Sequence, residues 1–97
     1  MTTATATKTT TSIKMPSQFK VVMLNDKETP DSFIASVLLK VFDHGDSASA
    51  QIIQRLRSEN RATVMITTHE IAKQKVEDAH KLIAHFGHGI QCRVEPA

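Results

Sequence analysis

Between Phe19 and Phe42 the chain reads FKVVMLNDKETPDSFIASVLLKVF, a short apolar run, a polar turn and an amphipathic stretch in direct succession. The run FKVVML is brief and rich in branched side chains, which predicts a strand. Asn25-Asp26-Lys27-Glu28 supplies a turn. Thr29 then serves as N-cap for a helix with Pro30 in its first position, where the missing N–H costs nothing. Apolar pairs recur every fourth residue, at Phe33/Ile34, Val37/Leu38 and Val41/Phe42, drawing one broad buried stripe. A helix with a single apolar stripe must fold back onto the strand that precedes it. The turn is thereby left at the mouth of an apolar surface, presenting the oxygens of Asn25 and Asp26. That chemistry suits a small cationic group, such as a free peptide amino terminus, held beside a hydrophobic side chain.

The remaining elements follow the same logic. Asp43-His44-Gly45 ends the first helix. Asp46 caps a second from Ser47 to about Glu59, with Ile52, Ile53 and Leu56 inward and Asn60 as a left-handed terminator. ATVMIT, from Ala62 to Thr67, is a second strand. Thr67 and Glu70 form a capping-box pattern that opens the longest helix. Its stripe is Ala72, Val76, Ala79, Ile83 and Phe86; Gly87 and Gly89 close it. Ile90 to Glu95 alternates as a third strand, ended by Pro96. The order β-α-α-β-α-β predicts an α+β domain: a three-stranded antiparallel sheet with three helices on one face.

Residues 1–16, MTTATATKTTTSIKMP, are too low in apolar content to offset ordering entropy and predict a flexible tail, leaving 17–97 as the domain. About 80 residues with only Phe as aromatic make a modest aliphatic core, better suited to a shallow groove than to a dry catalytic cavity. A net charge of +2 with interspersed signs lacks the clustered Lys and Arg of nucleic-acid binding, and Trp and Tyr are absent. No apolar run approaches the roughly 18–20 residues that span a membrane. A lone Cys92 and no apolar leader point to a reducing compartment, the cytosol. His69-Glu70 opens like a zinc-protease motif, but Lys73 stands where the second His is needed. His80, His85 and His88 lack a thiolate or carboxylate set at ligand spacing. No nucleophile stands in an elbow or triad pattern. Neither an enzyme nor a metal or other cofactor is expected.

The stretch KVVMLNDKETP at Lys20–Pro30 resembles the ClpS family of Clp protease adaptors, whose members carry NDD-x-TP there. The likeness continues through LLKVF of the first helix and Gln51-Ile52-Ile53 with Leu56. It extends to Thr68-x-Glu70-Ile71-Ala72-x-x-Lys75-Val76 and Gly87-His88-x-Ile90-x-Cys92, in unbroken register from Phe19 to Ala97. The resemblance implies a fold shared with the ribosomal L7/L12 C-terminal domain. It also implies a non-enzymatic adaptor that binds proteins with a large hydrophobic first residue and hands them to the amino-terminal domain of a ClpA- or ClpC-type AAA+ unfoldase. Carried over by position, Asn25 and Asp26 would accept from the substrate's α-ammonium. Thr29, Ile34, Ile53, Leu56 and Ile90 would line the side-chain pocket, and Glu70 and Lys75 would face the unfoldase.

Three positions depart from the family pattern. Arg57 stands where a His contacts the amine, Lys27 replaces the second Asp, and Asp31 replaces a bulky apolar guard. Guanidinium has only donors and keeps its charge, so aimed at an ammonium it repels it. Two outcomes follow. Either Arg57 swings aside to pair with Asp31, Glu28 or Glu59 and leaves the amine to Asn25 and Asp26, or amine recognition is altered or lost and the domain regulates an unfoldase. An L7/L12-like interaction domain is the rival of another class, although it gives the NDxxTP turn no evident role.

Overall fold

In a computed structural model, residues 18–97 are described; the tail expected over 1–16 lies outside them. Strand β1 (Phe19–Leu24) has Val21, Val22 and Met23 at 0% exposure, which requires a neighbour on each edge. Those neighbours are β2 (Arg61–Thr67) and β3 (Gln91–Pro96), both antiparallel, giving the order β2-β1-β3. Helices α1 (Asp31–Phe42), α2 (Asp46–Glu59) and α3 (His69–Phe86) complete the β-α-α-β-α-β sequence. One face of the sheet contributes Val21, Met23, Ala62, Val64 and Cys92 to a core closed by Ile34, Val37, Leu38, Leu56, Ala72, Ala79 and Ile83 from the three helices. The α1 stripe is as spaced: Ile34, Val37, Leu38, Val41 and Phe42 are all buried.

The register of β1 with β2 shifts between Val21 and Val22, whose partners are Met65 and Thr63, so Val64 is an extra residue. Its carbonyl accepts a hydrogen bond from His44 Nε2 at 2.7 Å. The α1–α2 connection, read from sequence only as a stop, therefore also fastens the sheet. The far end of α1 is tied in the same way, with Lys75 Nζ of α3 donating to Val41 O at 2.9 Å. No helix among the described residues is long and apolar enough to cross a membrane.

Helix ends differ from the sequence expectation by one residue, for physical reasons. Pro30, not Thr29, is the N-cap of α1; its carbonyl takes Phe33 N and Ile34 N, while the Thr29 hydroxyl is engaged elsewhere. Gly45, not Asp46, precedes α2, and Asp46 sits in the first turn, where a carboxylate suits the helix dipole. Thr68, not Thr67, caps α3: its Oγ1 accepts from Ile71 N, which moves Glu70 one position too early to close a capping box. The left-handed terminators are Asp43 (φ 59), Asn60 (φ 67) and Gly87 (φ 72). Phe86 leaves the expected stripe. At 56% exposure it meets Phe33 edge-on, with ring centroids 5.7 Å apart, because the chain turns at Gly87 before that face reaches the core.

The opposite face of the sheet carries a charged lattice instead of helices. Glu95 of β3 pairs with Arg61 across the central strand and with Arg93 on its own strand at 2.9 Å. The Arg61 and then the Arg93 hydrogen bonds hold the Glu95 carboxyl below its ordinary value. A lowered folded-state pKa contributes stability that is present above the unfolded carboxylate value and lost as pH falls through the folded one. Glu95→Gln should therefore unfold at lower urea than the unsubstituted protein at pH 7. The difference should vanish as pH drops through and below the carboxylate range. A pH-independent difference would contradict this account.

Candidate functional site

The β1–α1 loop, residues 25–30, is fixed by its neighbours. Asn25 N donates to Asn60 O at 3.0 Å and Asn25 Nδ2 to Asn60 Oδ1 at 3.4 Å, so the left-handed end of α2 anchors the loop's start. Thr29 N donates to Asp26 O at 3.2 Å, closing the turn. The Thr29 hydroxyl, 1% exposed, donates to Asp26 Oδ2 at 2.6 Å and fixes the carboxylate. Gly89 lies against that carboxylate; a Cβ there would sit 3.1 Å from Asp26 Oδ2. Asn60 and Gly89 were legible in the sequence only as helix terminators. Nothing in local spacing revealed that both buttress the loop.

Into this loop reaches Arg57 from the last turn of α2. Its Nη1 donates to Asn25 Oδ1 at 2.7 Å and to Asp26 O at 2.9 Å. Its Nη2 donates to Thr29 O at 2.6 Å and to Asp31 Oδ1 at 2.8 Å, and Nε donates to the same Asp31 oxygen at 3.1 Å. A guanidinium has five N–H donors, and all five are used. Asp31 is the acidic partner, whereas Glu28 and Glu59 are not among its ion pairs. Arg57 does not swing clear of the amine position: it pairs with Asp31 and also takes the oxygen that Asn25 was expected to offer. Lys27 is exposed.

The Asp31 pair by itself contributes little, because the carboxylate side chain is 67% exposed and an exposed ion pair is worth about 0–1 kcal/mol. Hydrogen bonds from a charged donor contribute roughly 1.5–3 kcal/mol each before non-additivity, so the half-buried Asn25, Asp26 and Thr29 oxygens dominate. What the loop forms is a cation cradle of four acceptor atoms.

The apolar residues expected beneath it divide. Ile34 and Leu56 are 0% exposed and Ile90 is 1% exposed, so all three belong to the packed core. Ile53 is half-buried and lines an open groove of about 470 Å³ between α1 and α2, with Ala35 and Ala50 along it and Asp31 and Arg57 at one end. Asn25, Asp26, Thr29, Asp31 and Arg57 thus come together and Ile53 adjoins Asp31 and Arg57 along the groove, whereas Ile34, Leu56 and Ile90 lie within the packed core. Glu70 is exposed on the first turn of α3, and Lys75 is half-buried against Val41; neither joins the cradle.

No group of three or more His, Cys, Asp and Glu that could hold a metal occurs among the described residues. The histidines have structural partners: His80 Nε2 accepts from Cys92 N at 3.2 Å, and His88 packs on Phe33 with ring centroids 4.2 Å apart.

The sequence profile of ATP-dependent Clp protease adaptor protein ClpS matches residues 14–93. The ATP-dependent Clp protease adapter protein ClpS of Leptospira biflexa serovar Patoc is 37% identical over 82 residues, covering 84% of this chain and 73% of that protein. The protein of the same name from Leptothrix cholodnii is 36% identical over 85 residues, with 88% and 74% covered. Among solved structures, Agrobacterium tumefaciens ClpS2 bound to L-phenylalaninamide aligns with a TM-score of 0.82 at 28% identity, covering 86% of this chain and 100% of that one.

Burial pushes the Cys92 thiol up to about 12, so the thiolate that reacts with disulfide reagents is scarce in the folded protein. Labelling by an aromatic disulfide at pH 8 should therefore be slow and should track urea unfolding. Labelling as fast as that of a free thiol under native conditions would contradict this.

Proposed function

The chain belongs to the ClpS family of ATP-dependent Clp protease adaptors, and from that membership we propose that it selects substrates by their amino-terminal residue and delivers them to a ClpA- or ClpC-type unfoldase. The observation that carries this reading is the cradle. Asn25 Oδ1, Asp26 O, Thr29 O and Asp31 Oδ1 converge on one cationic group at the rim of the core. An α-ammonium asks for the same thing: several oxygen acceptors at hydrogen-bond distance and an apolar surface beside them for the first side chain. The ligand of the Agrobacterium neighbour, L-phenylalaninamide, joins a free amino group to an aromatic side chain. Burying such a side chain contributes roughly 1.5–3 kcal/mol. The adaptor does no chemistry of its own; its relatives are adaptors rather than enzymes.

A second reading, an unfoldase regulator that has lost amine recognition, is favoured by Arg57, which already occupies Asn25 Oδ1, the acceptor an incoming amine would need. The two are separated by titrating labelled peptides that begin with Leu, Phe, Tyr or Trp, each beside its N-acetylated form. The adaptor reading expects saturable binding of at least one peptide that acetylation weakens by about tenfold or more, the loss of one charge-assisted contact. Indifference to every peptide would favour the regulator. For the unfoldase surface, Glu70→Ala is the cleaner probe, because Lys75→Ala also removes the bond to Val41 O and loosens the end of α1. Glu70→Ala should weaken capture of an unfoldase amino-terminal domain without moving the unfolding midpoint; undiminished capture would remove Glu70 from that surface.

A further inference from the structure

We propose that Arg57 is an internal competitor for the substrate's amino terminus, a tethered cation that must leave the cradle before an α-ammonium can enter. The inference rests on the adaptor reading and adds the occupant that sets its threshold. Arg57 Nη1 lies 2.7 Å from Asn25 Oδ1 and 2.9 Å from Asp26 O, ordinary hydrogen-bond distances that set its full charge against both acceptors. A substrate ammonium placed on Asn25 would stand next to a second full positive charge. The two like charges repel one another.

Arg57 also has somewhere to go. Its side chain is 29% exposed and its partner Asp31 is 67% exposed at the rim. The ion pair uses Nε and Nη2, whereas the contacts to Asn25 and Asp26 use Nη1. Rotation about the side chain's outer bonds can release Asn25, Asp26 O and Thr29 O while Asp31 still neutralises the guanidinium at the mouth of the α1–α2 groove. Asp31 is then a pivot common to both states, and the closed state alone holds the remaining three oxygens. Apparent affinity falls by the fraction of time the cradle is open. Ligands with a small first side chain cannot make up that factor, so Arg57 raises the threshold for what counts as a substrate.

The test compares the unsubstituted protein with Arg57→Ala and Arg57→His, titrated with one labelled peptide beginning with Phe and with its N-acetylated form. Both variants are expected to bind the free-amine peptide about tenfold or more tightly than the unsubstituted protein, as removal of a charge-assisted competitor implies. Acetylation should abolish the gain. In Arg57→Ala, guanidinium chloride at tens of millimolar should refill the cradle and displace peptide where equal sodium chloride does not; the unsubstituted protein should be indifferent to it. Equal, acetylation-sensitive affinity in all three forms would leave the adaptor reading intact and overturn the competitor. Weaker binding in both variants would make Arg57 part of the binding surface and overturn it likewise. Absence of acetylation-sensitive binding in every form, with all three melting alike, would remove the adaptor reading and this inference with it. Should Arg57→Ala fail to fold, Arg57→His decides by the same comparison.

Discussion

One guanidinium fastens the β1–α1 loop to α2, and the loop's acceptor oxygens are arranged around it. Arg57 gathers Asn25, Asp26, Thr29 and Asp31 into a single set of acceptors. Two of these are backbone carbonyls at a loop and a helix start, groups that a fold must satisfy somehow. A long planar donor satisfies them together. The same arrangement favours an occupant that is positive and rich in N–H, as the guanidinium is.

Polar ties of this kind recur through the fold. Lys75 reaches the last turn of α1, His44 reaches the carbonyl released by the bulge at Val64, and Asn60 holds the start of the loop. The core they surround is aliphatic, with Met23, Leu38 and Leu56 among its largest fully buried side chains. Such a core fixes the stacking of helices on sheet but leaves the loop geometry undetermined. The ties supply it. The cradle is a case of long side chains from one element finishing the hydrogen bonding of another.

That division explains what could be read from the sequence. The order of elements, the α1 stripe and the left-handed turn at Asn60 follow from local rules of period and capping, and the structure has them. Helix starts differ by one residue from the expectation at Thr29, Asp46 and Thr67. Pro30 and Gly45 take the cap positions of α1 and α2 without a side-chain bond, the Thr29 hydroxyl being drawn to Asp26 within its own turn, and Thr68 rather than Thr67 caps α3. The compensating charges of Arg57 and Asp31 were legible as a pair. Occupation of Asn25 Oδ1 by the same Arg was not, because the carbonyls that steer the guanidinium inward belong to the backbone and leave no mark in side-chain identity. Phe86 kept the period of α3 yet lies past the point where the sheet can cover it.

Fold and site together describe an adaptor of the ClpS family whose cation cradle is filled from within. The central claim is that the cradle holds one cation at a time. The most direct measurement is NMR of the Arg57 side-chain Nε–H, isotopically labelled, during titration with L-phenylalaninamide. The account predicts a protected, dispersed resonance without ligand that shifts to the position and exchange rate of a loosely held arginine as the cradle changes occupant, with no such shift on adding N-acetylphenylalaninamide. An Arg57 signal unmoved while the ligand saturates its site would contradict it.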